Sequence, residues 1–183
     1  QRQMCIRDRG EETYAKPKPL AKAISAELSV EVAEAILYAD DGPSEIVKEF
    51  KSGTLTLGVD DLGGEAAAAL TGATVDSNGV LISASEDGGA PVAIGFRAAR
   101  SNGKYQYFWL YRVKFALPTE TLATKADSIT FSTPSIEGTI LRRNKPDAKG
   151  RHPWKAEVLE GATGVKPETI TNWYAQVYEP ATS

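Results

Sequence analysis

The sequence predicts a mainly β fold, two packed antiparallel sheets flanked by one or two short α-helices, and three observations lead there. The run Tyr105 to Leu117, YQYFWLYRVKFAL, alternates at period two for longer than any other stretch. Roughly seven to nine strand-like runs follow one another with turn residues between them, the pattern of antiparallel neighbours. Helical signals are confined to Leu62 to Leu70 and to the residues after Lys166. Strand and helix never alternate as a doubly wound parallel sheet requires.

The 183 residues suffice for one well-buried domain, and no linker-like stretch divides them. No apolar run approaches the ~20 residues of a membrane span, and the given residues show no stretch with the basic start and apolar core of a signal peptide. The first ten residues, QRQMCIRDRG, are polar, basic and patternless, and hold both the sole Met (Met4) and the sole Cys (Cys5). They resemble translated adapter sequence, so residues 1–10 are expected to be a non-native leader. Residues 11–183 then form a single domain that lacks a native N-terminal segment. Without the three Arg and one Asp of the leader, the formal charge moves from -3 to -5. The remaining chain has no cysteine, which excludes disulfides, thiolate metal sites and cysteine nucleophiles there.

Taken in order, Lys16-Pro17-Lys18-Pro19 gives an extended start. Leu20 to Val32 then alternates apolar with Ser and Glu, which favours a strand over the helix that its Ala and Glu also permit. Ile36-Leu37-Tyr38 continues to a turn cluster, Ala39-Asp40-Asp41-Gly42-Pro43. Glu45 to Val59 reads as one long strand or two, with a bulge expected at Gly53. Leu62 to Leu70 is a short helix with acidic residues before it, four alanines within it and Gly72 to end it. Asp76-Ser77-Asn78-Gly79 turns into a strand over Val80 to Ser85.

The central hairpin follows. Asn102-Gly103 is read as a two-residue turn, which sets Phe96 opposite Trp109, Ile94 opposite Tyr111 and Val92 opposite Val113. Tyr105, Tyr107, Trp109, Tyr111, Val113, Phe115 and Leu117 then share one face. Gln106, Phe108, Leu110, Arg112, Lys114 and Ala116 share the other. At ~3.3 Å per residue the strand spans about 40 Å and is expected to project beyond its own sheet. After a polar connection over Pro118 to Asp127, strands are expected over Ser128 to Phe131, Ser135 to Arg142 and Lys155 to Leu159. A basic loop joins the last two. The closing helix begins at Pro167 and presents Ile170, Trp173, Tyr174 and Val177 on one face.

Little of this carries chemistry. His152 is the sole histidine, in Arg151-His152-Pro153-Trp154, and no Gly-x-Ser-x-Gly elbow accompanies it. A structural role is expected for it. Asp40-Asp41 and Asp60-Asp61 are paired carboxylates, but each pair falls in a turn or helix start, where Asp satisfies backbone N–H groups. Gly63-Gly64 and Gly88-Gly89 lack phosphate-loop spacing. The basic run Arg142, Arg143, Lys145, Lys149, Arg151 beside Trp154 could grip nucleic acid. Charge-steered contact with an acidic neighbouring chain is the preferred reading.

Several blocks carry a resemblance: LYADDG (Leu37 to Gly42), GTLTLGVDDLG (Gly53 to Gly63), FWLYRVKF (Phe108 to Phe115), KADSITFSTPSIEGTI (Lys125 to Ile140), HPWKAEV (His152 to Val158) and NWY (Asn172 to Tyr174). Together, in this order, they resemble the major tail protein, or tail-tube protein, of long-tailed siphophages. The resemblance implies a β-sandwich structural virion protein that polymerises as hexameric rings stacked into the tail tube, the conduit for genome ejection. It implies no catalytic residues, no cofactor and no metal. The implied partners are further copies of the chain, other tail proteins (tape measure, tail tip, terminator) and phage DNA in transit without specific binding. The implied location is the virion, after synthesis in the bacterial cytoplasm. Tyr107, Trp109, Tyr111, Arg112, Lys114, Arg142 and Arg143 are then the candidate subunit-interface or tube-wall residues. An acidic subunit suits a wall past which DNA slides, six copies carrying about -30 per ring. The alternative is a monomeric carbohydrate-binding or adhesin-like sandwich using Tyr107, Trp109 or Trp154 as a sugar platform. A jelly-roll hydrolase would need a carboxylate pair in a cleft.

One expectation is testable at once. The chain should have no enzymatic activity, and a His152→Ala protein that lost a measurable turnover would overturn it.

Overall fold

The computed structural model describes residues 2–7, 12–20, 23–39, 42–59, 62–116 and 135–180. The strand expected over Ser128 to Phe131, the connection before it, Leu117, and the pairs Asp40-Asp41 and Asp60-Asp61 lie outside these residues. The eleven strands are β1 (Arg2–Arg7), β2 (Thr13–Tyr14), β3 (Lys18–Pro19), β4 (Ala23–Ala39), β5 (Gly42–Val59), β6 (Thr74–Val75), β7 (Leu81–Ile82), β8 (Val92–Ala99), β9 (Tyr105–Phe115), β10 (Ser135–Leu141) and β11 (Lys155–Leu159). Two helices accompany them, α1 (Gly64–Thr71) and α2 (Pro167–Thr171).

The fold is mainly β and antiparallel, as expected, but the strands do not divide into two separate layers. Nine belong to one hydrogen-bonded sheet in the order β2-β1-β8-β9-β10-β5-β4, with β3 added on β1 and β11 on β9. This sheet curls into a half-barrel. β6 and β7 form a small hairpin of their own. The backbone of β1, within the stretch read as a leader, pairs with Val92 to Gly95 of β8.

Strand β9 organises the sheet. One edge pairs with β8; the other is divided, β11 taking Gln106 to Leu110 and β10 taking Arg112 to Phe115. At the fork the Tyr111 N–H donates to the Trp154 carbonyl (3.1 Å).

The register of the β8–β9 hairpin differs by one residue from the sequence expectation. Asn102-Gly103 does not form a two-residue turn. Ser101 to Gly103 form a three-residue loop closed by Arg100 and Lys104, with Gly103 at φ 76°. Phe96 therefore lies opposite Phe108, and Trp109 opposite Gly95. Phe96 joins one core and Trp109 the other, so the two rings do not pair. Gly95 permits the approach, because a Cβ there would come within 2.9 Å of the Trp109 ring.

A bulge then restores the expected pair Val92–Val113. Between Ile94–Leu110 and Val92–Val113, the single residue Ala93 faces both Tyr111 and Arg112. The extra residue breaks the alternation of β9. Tyr107, Trp109 and Tyr111 belong to an aromatic core on one side, with Trp173 and Val177. Val113 and Phe115 cross to the other core, with Val92, Ile94, Leu55 and Ile140. The single apolar face expected from Tyr105 to Leu117 is thus split in two. Nor does β9 project, since Trp109, Leu110 and Val113 are fully buried and strands flank both its edges.

Elsewhere the sequence pattern is followed closely. α1 packs Leu70 into the larger core and ends at Gly72 (φ 85°), whose N–H donates to the Ala68 carbonyl. β10 buries Ile136, Gly138 and Ile140 and exposes Ser135, Glu137 and Thr139. The closing helix is shorter than expected, but Trp173 and Val177 beyond it are buried.

Gly138 is a close-packing position, because a Cβ would come within 2.6 Å of Val113 and 2.9 Å of Phe115. Gly138→Ala is expected to destabilise by about 1–3 kcal/mol through overpacking. Thr139→Ala on the exposed face should stay within about 0.5 kcal/mol. Urea unfolding of the two variants measures the difference.

Candidate functional site

Cross-strand pairing determines where this chain is closed and where it is open. β4 and β5 are 17 and 18 residues long and pair almost throughout. On its far side β5 pairs with β10 only from Gly53 to Gly58. Beyond that point the hairpin continues as a two-stranded ribbon. A bulge marks the departure: Glu31 pairs with Ser52 and Val32 with Phe50, leaving Lys51 as the extra residue. The bulge expected at Gly53 thus lies two residues earlier, and Gly53 is instead a point of close backbone approach to Ser29. Phe50 stacks on Trp154 at 4.5 Å where the ribbon leaves the sheet. The ribbon surface is laced by Glu34–Lys48 (3.3 Å) and Glu31–Lys51 (3.7 Å), exposed pairs of small energetic weight.

Among the described residues the outer edge of β4 pairs with no other strand. The face of β4, β5 and β10 turned away from the larger core, continued on β9 by Lys114 alone, is polar and mostly exposed. One cross-strand row there reads Glu27, Thr56, Glu137, and the next Ser29, Thr54, Thr139, Lys114. On the core side, the row Val30, Gly53, Ile140, Val113 runs from full burial at Val113 to 40% exposure at Val30. Val32 is 54% exposed. Among the described residues the apolar layer therefore reaches the open edge without a cover.

The candidate residues chosen from the sequence separate into two sets. Tyr107, Trp109 and Tyr111 are buried under the chain's own C-terminal segment. Trp109 Nε1–H donates to the Trp173 carbonyl and the Tyr111 hydroxyl to the Tyr178 carbonyl, both at 2.9 Å. Arg112, carried to the same side by the bulge, meets buried Glu12 at 3.3 Å. The other Glu12 oxygen accepts the Lys145 N–H (3.1 Å). Arg143 is 1% exposed and lies over the Tyr111 ring, with Nε donating to the Lys145 carbonyl (2.7 Å) and Nη1 paired to Glu179 (3.0 Å). Burial opposes the Arg143 charge, but the hydrogen bond and charge of Glu179, with Tyr14 and Tyr111 beside it, together outweigh burial and hold the guanidinium above its usual range. Burial also pushes the Tyr111 and Tyr14 hydroxyls well above the usual tyrosine range. These residues form an internal junction of the N-terminal segment, the basic loop and the C-terminal segment. Lys114 and Arg142 remain on the surface.

Three of the five cations of the basic run are paired within the chain, on two carboxylates, while Arg142 and Lys149 are exposed. Lys145 joins Arg143 on Glu179, and Arg151 pairs with Asp147 at 2.8 Å. The Asp147 carboxyl is held below its usual range, first by the Arg151 N–H. His152 Nδ1 lies 3.1 Å from the Arg143 carbonyl, within the framework of the loop. Buried Tyr107 and Trp109 offer no face to a sugar, and Trp154 is stacked against Phe50 with Lys155 5.1 Å from its ring. Among the described residues no group of three or more His, Cys, Asp or Glu is placed to hold a metal ion, and no helix is long and apolar enough to cross a membrane.

Sequence reasoning did not single out Val30 and Val32, because edge position is a property of topology. The available signal was the length of the alternating run from Leu20 to Val32. No family model matches the chain, and no curated protein matches it.

Glu12→Ala should leave Arg112 and the Lys145 N–H without their partner and destabilise the chain by about 1–3 kcal/mol. Lys114→Ala should stay within about 0.5 kcal/mol. Equal effects in thermal or urea unfolding would refute the assignment of Arg112 to an internal junction.

Proposed function

We propose that this chain is a structural subunit that associates with copies of itself through the open β4 edge. The assembly would be a ring, and stacked rings the tail tube of a long-tailed siphophage, with the curled sheet a version of the tail-tube sandwich. The observation that carries the association is the 17-residue edge strand without a strand partner among the described residues, bordered by exposed Val30 and Val32. Such an edge is a template for another chain, and burying its apolar margin favours pairing. Six-fold symmetry and the virion setting rest on the sequence resemblance.

The polar face of β4, β5 and β10, with Lys114 of β9 at its margin, suits the wall of a conduit. Small hydroxyls with Glu27 and Glu137 provide few cations for phosphate, so DNA would pass without being held. The buried junction around Arg143 supports the same reading from the other direction. Arg112 and Arg143, engaged inside the subunit, are not available to grip a nucleic acid.

The interface test belongs on β4. Pro at Val113 would break the buried centre of β9 and unfold the subunit rather than separate it from its neighbours. Val30→Lys with Val32→Lys alters two exposed side chains. The variant is expected to keep its β-sheet circular dichroism and to lose self-association by sedimentation, while the unaltered chain forms rings visible by negative-stain microscopy. If the unaltered chain stays monomeric at about 100 μM, contacts are weaker than about -5.5 kcal/mol. The assembling role then fails.

A further inference from the structure

We propose that the outer edge of β4 is received by the Val80–Ser83 stretch of a second copy, so that the contact joins two different surfaces. This inference rests on the self-associating reading above and names the other half of its interface.

Two observations converge on this stretch. Among the described residues, five large apolar side chains are exposed, and they fall in only two places. Val30 and Val32 lie on β4; Val80 (55%), Leu81 (39%) and Ile82 (53%) lie together on and beside β7. The second observation is a strand left short. The sequence from Val80 to Ser85 has strand chemistry, yet only Leu81 and Ile82 pair, with Val75 and Thr74. The other edge of β7 meets no strand among the described residues. An apolar, β-branched stretch that stops after two residues for want of a neighbour is completed when an extended edge is laid beside it.

The receiving segment is held in place beforehand. Asp76 Oδ1 accepts the N–H groups of Asn78 (2.8 Å) and Val80 (2.9 Å), and Gly79 at φ 80° closes the turn. Immediately before β6, the left-handed Gly72 ends α1, and the Thr71 hydroxyl accepts the Ala73 N–H (3.3 Å). α1 itself is seated through Leu70 in the larger core. A segment ordered in advance loses less entropy on contact. Because donor and receiver are different patches of one chain, each added copy leaves one of each exposed, and growth ends only when a ring closes.

Two variants separate this contact from its alternatives. V30K/V32K removes the donor edge, and L81K/I82K removes the receiver; L81S/I82S is the milder receiver variant should the lysines disturb the small hairpin. Circular dichroism checks that each variant folds. Alone, each should self-associate at least tenfold more weakly than the unaltered chain by sedimentation velocity. Mixed in equal amounts, they should form a 1:1 dimer and stop, since one intact donor and one intact receiver remain. A folded receiver variant that assembles like the unaltered chain, while the donor variant does not, overturns the assignment of Val80–Ser83 and leaves association through β4 standing. A mixture that forms no dimer also overturns it. If both variants assemble like the unaltered chain, association through β4 falls as well; if the unaltered chain does not assemble, the self-associating role itself falls.

Discussion

A single extra residue, Tyr111 with Arg112 opposite Ala93, is the constraint on which the rest of the fold depends. It sends the aromatic half of β9 to one core and the aliphatic half to the other. At the same point its far edge passes from β11 to β10. The same bulge puts Tyr111 and Arg112 on one side, where Glu12, Arg143 and Glu179 converge. Bulges bend strands and increase local twist, and a sheet bent here can cover apolar layers on both its faces. Curvature, core division and the anchoring of both terminal segments thus share one cause.

That bulge was not legible in the sequence. Every odd position from Tyr105 to Phe115 is apolar or aromatic, so a switch of faces after Tyr111 leaves no polar residue visibly misplaced. The register was ambiguous for a related reason. Asn-Gly suits a two-residue turn and a three-residue loop equally, because Gly103 adopts positive φ in both. Where a strand has one buried and one exposed face, as in β10, alternation alone placed Ile136, Gly138 and Ile140 correctly. The stop of α1 at Gly72 was equally plain, since only a residue without Cβ takes that conformation freely.

The candidate site was less readable than the fold, and the reason is distance along the chain. Arg143 appeared as one cation in an exposed run, but its carboxylate partner lies 36 residues later at Glu179. Arg112 reads from the sequence as a candidate interface or tube-wall residue, while its partner lies 100 residues earlier at Glu12. A run of like charges in sequence is no guide to the field it creates once folded. Conversely, the exposed valines of β4 sit in an ordinary alternating strand, and their exposure accompanies the position of that strand, last in the sheet among the described residues.

The way the C-terminal segment is held has a consequence for sequence change. Trp109 and Tyr111 reach across with N–H and O–H donors, and what they grip are main-chain carbonyls, at Trp173 and Tyr178. Any residue offers a carbonyl, so these attachments do not depend on which side chains the segment carries. The demands on the two sides of the seam are therefore unequal. The sheet must keep an indole and a phenol at fixed places, while the segment it holds is free to drift wherever its side chains neither pack on the core, as Trp173, Tyr174, Val177 and Tyr178 do, nor pair with Arg143, as Glu179 does. Variation among related chains would collect on the strap rather than on the strand beneath it.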